Sequence, residues 1–265
     1  MHDTTRELRL AAALVEAADT LTEDFEATVH LRRVADHCVE LLAARAAGIM
    51  FVDGERAVAL AGSSGAREVA LDLLRAQSDG GPCLESYGSG RPVAPVSVRA
   101  AHAEARWPAF TGAALGHGIT TTFAVPLRRH GTALGALNVF AADGDDRGDG
   151  GEGVSAGWGP ELSVAQALAD AVAVGLANHR GYTQYRTLSA QLQEALSSRV
   201  RIEQAKGMLA ERWSTGTVEA FTALRRYARC RRLPLDQVAS GVVDGVVDDA
   251  ELRAKARGPS GRGRL

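Results

Sequence analysis

The stretch SSRVRIEQAKGMLAER, Ser197–Arg212, holds no proline and a single glycine, and most of its residues are good helix formers. Arg199, Ile202, Lys206 and Leu209 follow one another at steps of three or four, a helical spacing. Such a helix turns Val200, Ile202, Ala205 and Leu209 inward and keeps Arg199 and Lys206 toward solvent. Gly216-Thr217 breaks the pattern, and a second helix is expected over Val218–Cys230 with Val218, Phe221, Leu224 and Ala228 on one face. Arg225, Arg226, Arg229, Arg231 and Arg232 give it a second basic surface. Pro234 suits the first turn of a third helix lined by Leu235, Val238, Ala239, Val242, Val243 and Val246. Three amphipathic helices with short connections predict a small all-α bundle. The arginine-rich end of the chain, residues 251–265, is expected to be a disordered tail.

Charge is distributed unevenly. Residues 1–186 carry 16 basic and 23 acidic side chains, a net of −7, whereas residues 187–265 carry 14 and 9, a net of +5. Within residues 199–232 nine basic residues face three acidic ones, which is a mark of a polyanion partner. Guanidinium forks suit phosphates, and small residues such as Ala205 and Gly207 allow a backbone to come close. The same pattern is compatible with a dimer-forming helix pair carrying a solvated arginine surface.

Upstream of the bundle, Pro160 opens a long helical pattern through Leu162, Ala165, Leu168, Ala169, Val172 and Leu176, continuing through Tyr182, Tyr185, Leu188, Leu192 and Leu196. A helix of that length without internal caps predicts a coiled coil or signalling stalk, with residues 181–194 as the link. Before it, residues 143–159 hold seven glycines and many acids and read as a loop with no packed element. Residues 6–21 and Thr28–Leu42 have helical spacing. Ala46–Val52 and Ala57–Ala61 read as strands around an Asp53-Gly54 turn. Helices are expected at Glu68–Gln77, Cys83–Tyr87 and Ala103–Leu115, and strands at Val93–Val98, Thr120–Pro126 and Thr132–Phe140.

The chain carries no metalloprotease, P-loop, nucleophile-elbow or dinucleotide motif, so a non-enzymatic role is expected. Neither its seven histidines nor Cys38, Cys83 and Cys230 have metal-ligand spacing, and no cofactor is expected. The acids of residues 143–152 fail the calcium-loop spacing. Separated cysteines and the lack of an export or membrane segment predict a cytoplasmic protein. The loop-rich stretch with Cys83, Tyr87, Trp107 and Phe110 is either turn chemistry with a tryptophan core anchor, or the wall of a small-molecule pocket or a redox-sensing thiol.

At these residues two resemblances emerge. The run Ala195–Val243 resembles the ANTAR domain of transcription antiterminators, through Ser198-Arg199, Ile202-Glu203-Gln204-Ala205-Lys206-Gly207, Ala220-Phe221, Leu224-Arg225, Ala228 and Val238-Ala239. The preceding part is similar to the GAF domain joined to it in actinobacterial regulators, through Gly81-Pro82-Cys83-Leu84, Gly90-Arg91-Pro92-Val93, Arg106-Trp107-Pro108, Pro126-Leu127 and Gly135-Ala136-Leu137-Asn138-Val139-Phe140. The resemblance implies an α/β GAF-like sensory domain, an antiparallel sheet flanked by helices, followed by a long linking helix and a C-terminal all-α three-helix bundle. The division expected is an N-terminal helix over 1–22, the sensory domain over 23–180 and the ANTAR-like module over 195–250.

ANTAR modules bind paired stem-loops in nascent mRNA and act as dimers. The match implies that Arg199, Lys206 and Arg225 face RNA, joined by Arg201 and Arg229. It implies that Ala205 and Gly207 shape the contact surface and that Phe221, Leu224 and Ala228 are core. GAF domains imply a ligand pocket, for which Cys83, Tyr87, Trp107, Phe110 and His117 are the candidates. Relatives carry a compact anchored loop where this chain has residues 143–159, and Trp158 is placed to replace the anchor. RNA-dependent antitermination is thus the expected function, with a ligand sensor or scaffold acting through protein contacts as the alternative. DNA reading by the tail is disfavoured, because no tight turn precedes a polar recognition helix.

Overall fold

The computed structural model describes residues 2–22, 24–53, 56–142 and 159–257. The chain divides into two compact units, Met1–Tyr182 and Thr183–Leu265. In the first, α1 (His2–Ala18) and α2 (Ala27–Leu42) precede β1 (Ala46–Asp53) and β2 (Arg56–Gly62). There follow α3 (Arg67–Arg75), α4 (Pro82–Ser89), β3 (Val93–Ser97), α5 (Ala101–Arg106), α6 (Pro108–Gly116), β4 (Ile119–Arg129) and β5 (Thr132–Ala142). The five strands form one sheet in the order β2-β1-β5-β4-β3, with every neighbouring pair antiparallel.

Side chains alternate across the pleat, so the apolar strands supply two cores. Ala47, Ile49, Phe123, Val125, Leu127, Leu137 and Val139 face α1, α2 and the start of α7 (Gly159–Trp213), where Leu31, Val34, Leu168 and Val172 meet them. Ala46, Ala124 and Phe140 face the other way, toward Leu73, Trp107 and Phe110. Beside them Met50, Val52 and Ala136 pack on Leu74 and Cys83. Pro126 lies beyond the stretch of β4 that pairs with β3, so its missing N–H costs no bond to β3. Its carbonyl accepts from Gln166 Nε2 at 3.1 Å.

Two expectations change in this unit. The helix expected over Ala103–Leu115 is two helices, because Pro108 cannot continue the first and instead starts the second. Helix α1 begins earlier than residue 6 and ends at Ala18; Thr20 is fully buried beyond it, donating through Oγ1 to the Gly175 carbonyl at 2.6 Å. The loop over residues 143–159, with Trp158 and the acids once compared with a calcium loop, falls outside the described residues save for Gly159, which opens α7.

The expected long helix is α7, 55 residues without interruption. In the second unit its last turns meet α8 (Thr217–Arg231), α9 (Leu235–Val243) and α10 (Asp249–Arg257). The expected three-helix bundle therefore gains a fourth segment. Residues 249–257, in or next to the span expected to be disordered, are helical because Leu252 enters the core completely buried. Arg212 pairs with Asp249 at 3.1 Å and Arg231 pairs with Glu251, tying α10 down. Val246, expected to line α9, is 81% exposed in the turn before α10. Residues 258–265 lie outside the described residues.

Candidate nucleic-acid interface

Lys206 and Arg225 come from different helices and meet at one ring. The Lys206 ammonium lies 5.2 Å from the Phe221 ring centroid and the Arg225 guanidinium 5.6 Å from it. Helical spacing on α7 turns Ala205 and Leu209 into the bundle core and sets Lys206 on its margin. On α8, Ala220, Leu224 and Ala228 are buried, which leaves Arg225 and Arg229 on the exposed side and Phe221 at the margin between the two. Lys206 is held in place: its Nζ donates to both carboxylate oxygens of Glu203, at 2.8 and 2.9 Å. A phosphate arriving here would exchange with that carboxylate. Two cations flanking an aromatic face can bind phosphate and stack a base.

Several expected roles are revised. Phe221 is half-buried instead of fully in the core: it sits at the edge of the buried face of α8, about 20° beyond Ala228, with both cations near its ring. Ala205 is fully buried in the bundle and cannot shape a contact surface; Leu209 and Ala220 surround it in the same cluster. Val200 does not pack inward and is 48% exposed. Gly207 is exposed, and an added Cβ there would meet nothing within 4 Å. Arg199 shares the Lys206 flank of α7, whereas Arg201 lies about 140° round the helix from Lys206. Arg231 is committed to Glu251, and this partner holds its pKa above the ordinary arginine value.

On the first unit the five pocket candidates do not form one open site. Cys83 is buried against Met50, Leu74 and Ala136, and burial pushes its thiol up to about 12, so a redox-sensing thiolate is not supported. Its N–H donates to the buried Gln77 Oε1 at 2.7 Å, and Gly81 leaves room for that side chain. Tyr87 packs partly on the same cluster. Trp107 and Phe110 belong to a separate cluster and meet edge to face at 6.2 Å. His117 is at the surface, 3.7 Å from Asp72. The feature missed from the sequence is Asn138: fully buried on the Phe140 side of the sheet, it donates to Thr122 at 3.0 Å, while its Oδ1 has no hydrogen-bond partner among the described residues. An asparagine in the otherwise apolar run of β5 was the available signal.

Among the described residues no group of three or more histidine, cysteine or acidic side chains could hold a metal ion. No described helix is long and apolar enough to cross a membrane.

Comparison with protein families assigns both units. A GAF domain matches residues 27–149 and an ANTAR domain matches residues 190–243. This chain carries a GAF domain and an ANTAR domain. The GAF–ANTAR chain thus joins a domain of a sensory class to a module of the RNA-binding antitermination class, and the Lys206–Phe221–Arg225 cluster lies inside the ANTAR match. No curated protein matches it. Solved structures similar to it include the GAF domain of A. aeolicus nlh2 in an inactive state, at 14% identity and a TM-score of 0.44, covering 65% of this chain and 98% of that one. The GAF domain from Acinetobacter phosphoenolpyruvate-protein phosphotransferase is similar at 11% identity and 0.46, covering 67% and 95%. The cyanobacteriochrome TePixJ GAF domain is similar at 16% identity and 0.39, covering 58% and 91%.

Proposed function

We propose that this GAF–ANTAR chain is a non-enzymatic RNA-binding antiterminator that, as a homodimer in the cytoplasm, grips paired stem-loops in nascent mRNA and so prevents a terminator hairpin from forming. The observation that carries this is the convergence of Lys206 and Arg225 on Phe221 within the ANTAR module. Two such clusters in a dimer present two matched sites to two hairpins. The binding energy holds the RNA in a fold that excludes the terminator. The GAF domain supplies the signal input, with the face around Asn138 as the place where a small ligand would find an unsatisfied acceptor.

Dimerisation is supported by α7. Tyr185, Leu188, Leu192, Leu196 and Val200 recur at steps of three or four and are all about half or more exposed, between 48% and 72%. An apolar stripe of this spacing on a helix buries itself against a second copy.

The test is a mobility-shift titration of the full chain against tandem hairpins with six-nucleotide loops. Lys206→Ala is expected to weaken binding about tenfold, with the slope of affinity against salt reduced by roughly one phosphate contact. An unchanged affinity in a variant that melts like the parent would remove Lys206 from the site.

A further inference from the structure

We propose that the helical unit carries a second RNA contact, a pocket for one unpaired purine built on Trp213; this rests on the RNA-binding reading above. A cavity of about 440 Å³ opens between the end of α7, the start of α8 and α10, lined by Trp213, Thr215, Val218, Glu219, Thr222 and Arg253. That volume is in the range of small-molecule pockets and admits a planar base.

The chemistry of the lining selects a nucleobase. Trp213 packs in part on the bundle core, which fixes its indole, and the Arg253 guanidinium lies 5.7 Å from the ring centroid. Unpaired RNA bases are taken up by stacking on aromatic rings and guanidinium planes, and this pocket offers both. Val218 is 75% exposed at the mouth, an apolar wall that the bundle itself does not use. The Thr222 hydroxyl donates to the Val218 carbonyl at 2.8 Å, so its oxygen keeps acceptor capacity toward a base edge. Glu219 repels phosphate but accepts from N–H groups. It therefore favours a base edge rich in donors, and guanine presents two on one edge where adenine presents one amino group.

Location ties the pocket to the basic face. Along α8, Val218, Thr222, Arg225 and Arg229 all lie on the side away from the bundle core. Thr222 is only about 60° round the helix from Arg225. A strand whose phosphates are held at Arg225 and Lys206 has a neighbouring base within reach of Trp213. Phosphate contacts would then set position and the pocket would read the base.

The experiment uses the full chain and the hairpin RNA recovered by crosslinking to it in cells, intact and with each loop position made abasic in turn. Trp213→Leu and Thr222→Gln, the latter plugging the cavity from an exposed position, are each expected to weaken binding of intact RNA about tenfold. One abasic RNA should lose the same factor with the parent protein and lose nothing further with either variant. Trp213→Phe should stay within about threefold of the parent, and the salt slope should not move. Parent-like binding by both variants, or losses that persist on every abasic RNA, would overturn the pocket. If Trp213→Leu fails to fold by circular dichroism, Thr222→Gln decides alone. Recovery of no RNA would instead bring down the RNA-binding reading itself.

Discussion

Cys38 and Cys83 are the two thiols that burial silences. Both are pushed up to about 12 by desolvation, whereas Cys230 is exposed on α8. Iodoacetamide at neutral pH is therefore expected to modify the native chain once, at Cys230, and all three thiols after denaturation; mass spectrometry counts the adducts. Rapid native labelling of Cys83 would reopen the redox-sensor role. His30 carries the opposite kind of consequence. It is 7% exposed, its Nε2 lies 3.1 Å from the Ala17 carbonyl, and burial holds its pKa below the ordinary 6.5 despite that hydrogen bond. The unfolded chain takes up the proton at higher pH than the folded one. The contribution is thus complete above pH 6.5 and is lost as pH falls past 6.5 toward the folded value. Melting temperature should decline over that window, and His30→Gln should flatten the decline.

Strand β5 shows what an element demands of a residue. Gly135 pairs with Phe51 of β1 and Leu127 of β4, and a Cβ built on it would lie 2.0 Å from the Met50 carbonyl oxygen. Backbone cannot yield as a flexible side chain does. Gly135→Ala is expected to cost about 1–3 kcal/mol, seen as a lower urea midpoint with an unchanged slope. Gly175 in α7 is tight for a related reason: the Ala17 carbonyl and the Thr20 methyl each lie 2.8 Å from where its Cβ would be. A glycine that weakens a helix by about 1 kcal/mol is retained where another helix end comes this close.

At the scale of the whole molecule, the proposed function rests on pairing two modest sites. Residues 187–265 carry only a net +5, so bulk charge cannot supply specificity, whereas two hairpins held by two linked clusters would gain effective concentration. Leu192→Glu places a charge in the exposed stripe of α7, where Leu192 is 62% exposed and makes little contribution to the fold of one chain. It is expected to shift the protein to a monomer in sedimentation at micromolar concentration. Affinity for tandem hairpins should fall at least about tenfold while affinity for one hairpin stays within about twofold. A dimer unaffected by this change would move the interface off α7.

The sequence by itself determined the order of the strands and of most helices, the break between the sensory part and the basic helices, and the basic character of the latter. Those are local or periodic properties: alternation of two, repetition at three to four, and a block of charge. It could not determine which residues of a helix face become core, since that depends on where neighbouring helices land. Phe221 is apolar and at the right spacing, yet the bundle leaves it half-buried at the margin with two cations near its ring, while small Ala205 is enclosed. Helix α10 was not legible because Leu252, its one core residue among those whose burial is described, has no periodic partner in a polar segment. The five residues gathered from sequence for a sensory pocket were dispersed for the same reason. Cys83, Trp107 and Phe110 were drawn into separate apolar clusters by the sheet they cover, and His117 was left at the helix end, in solvent.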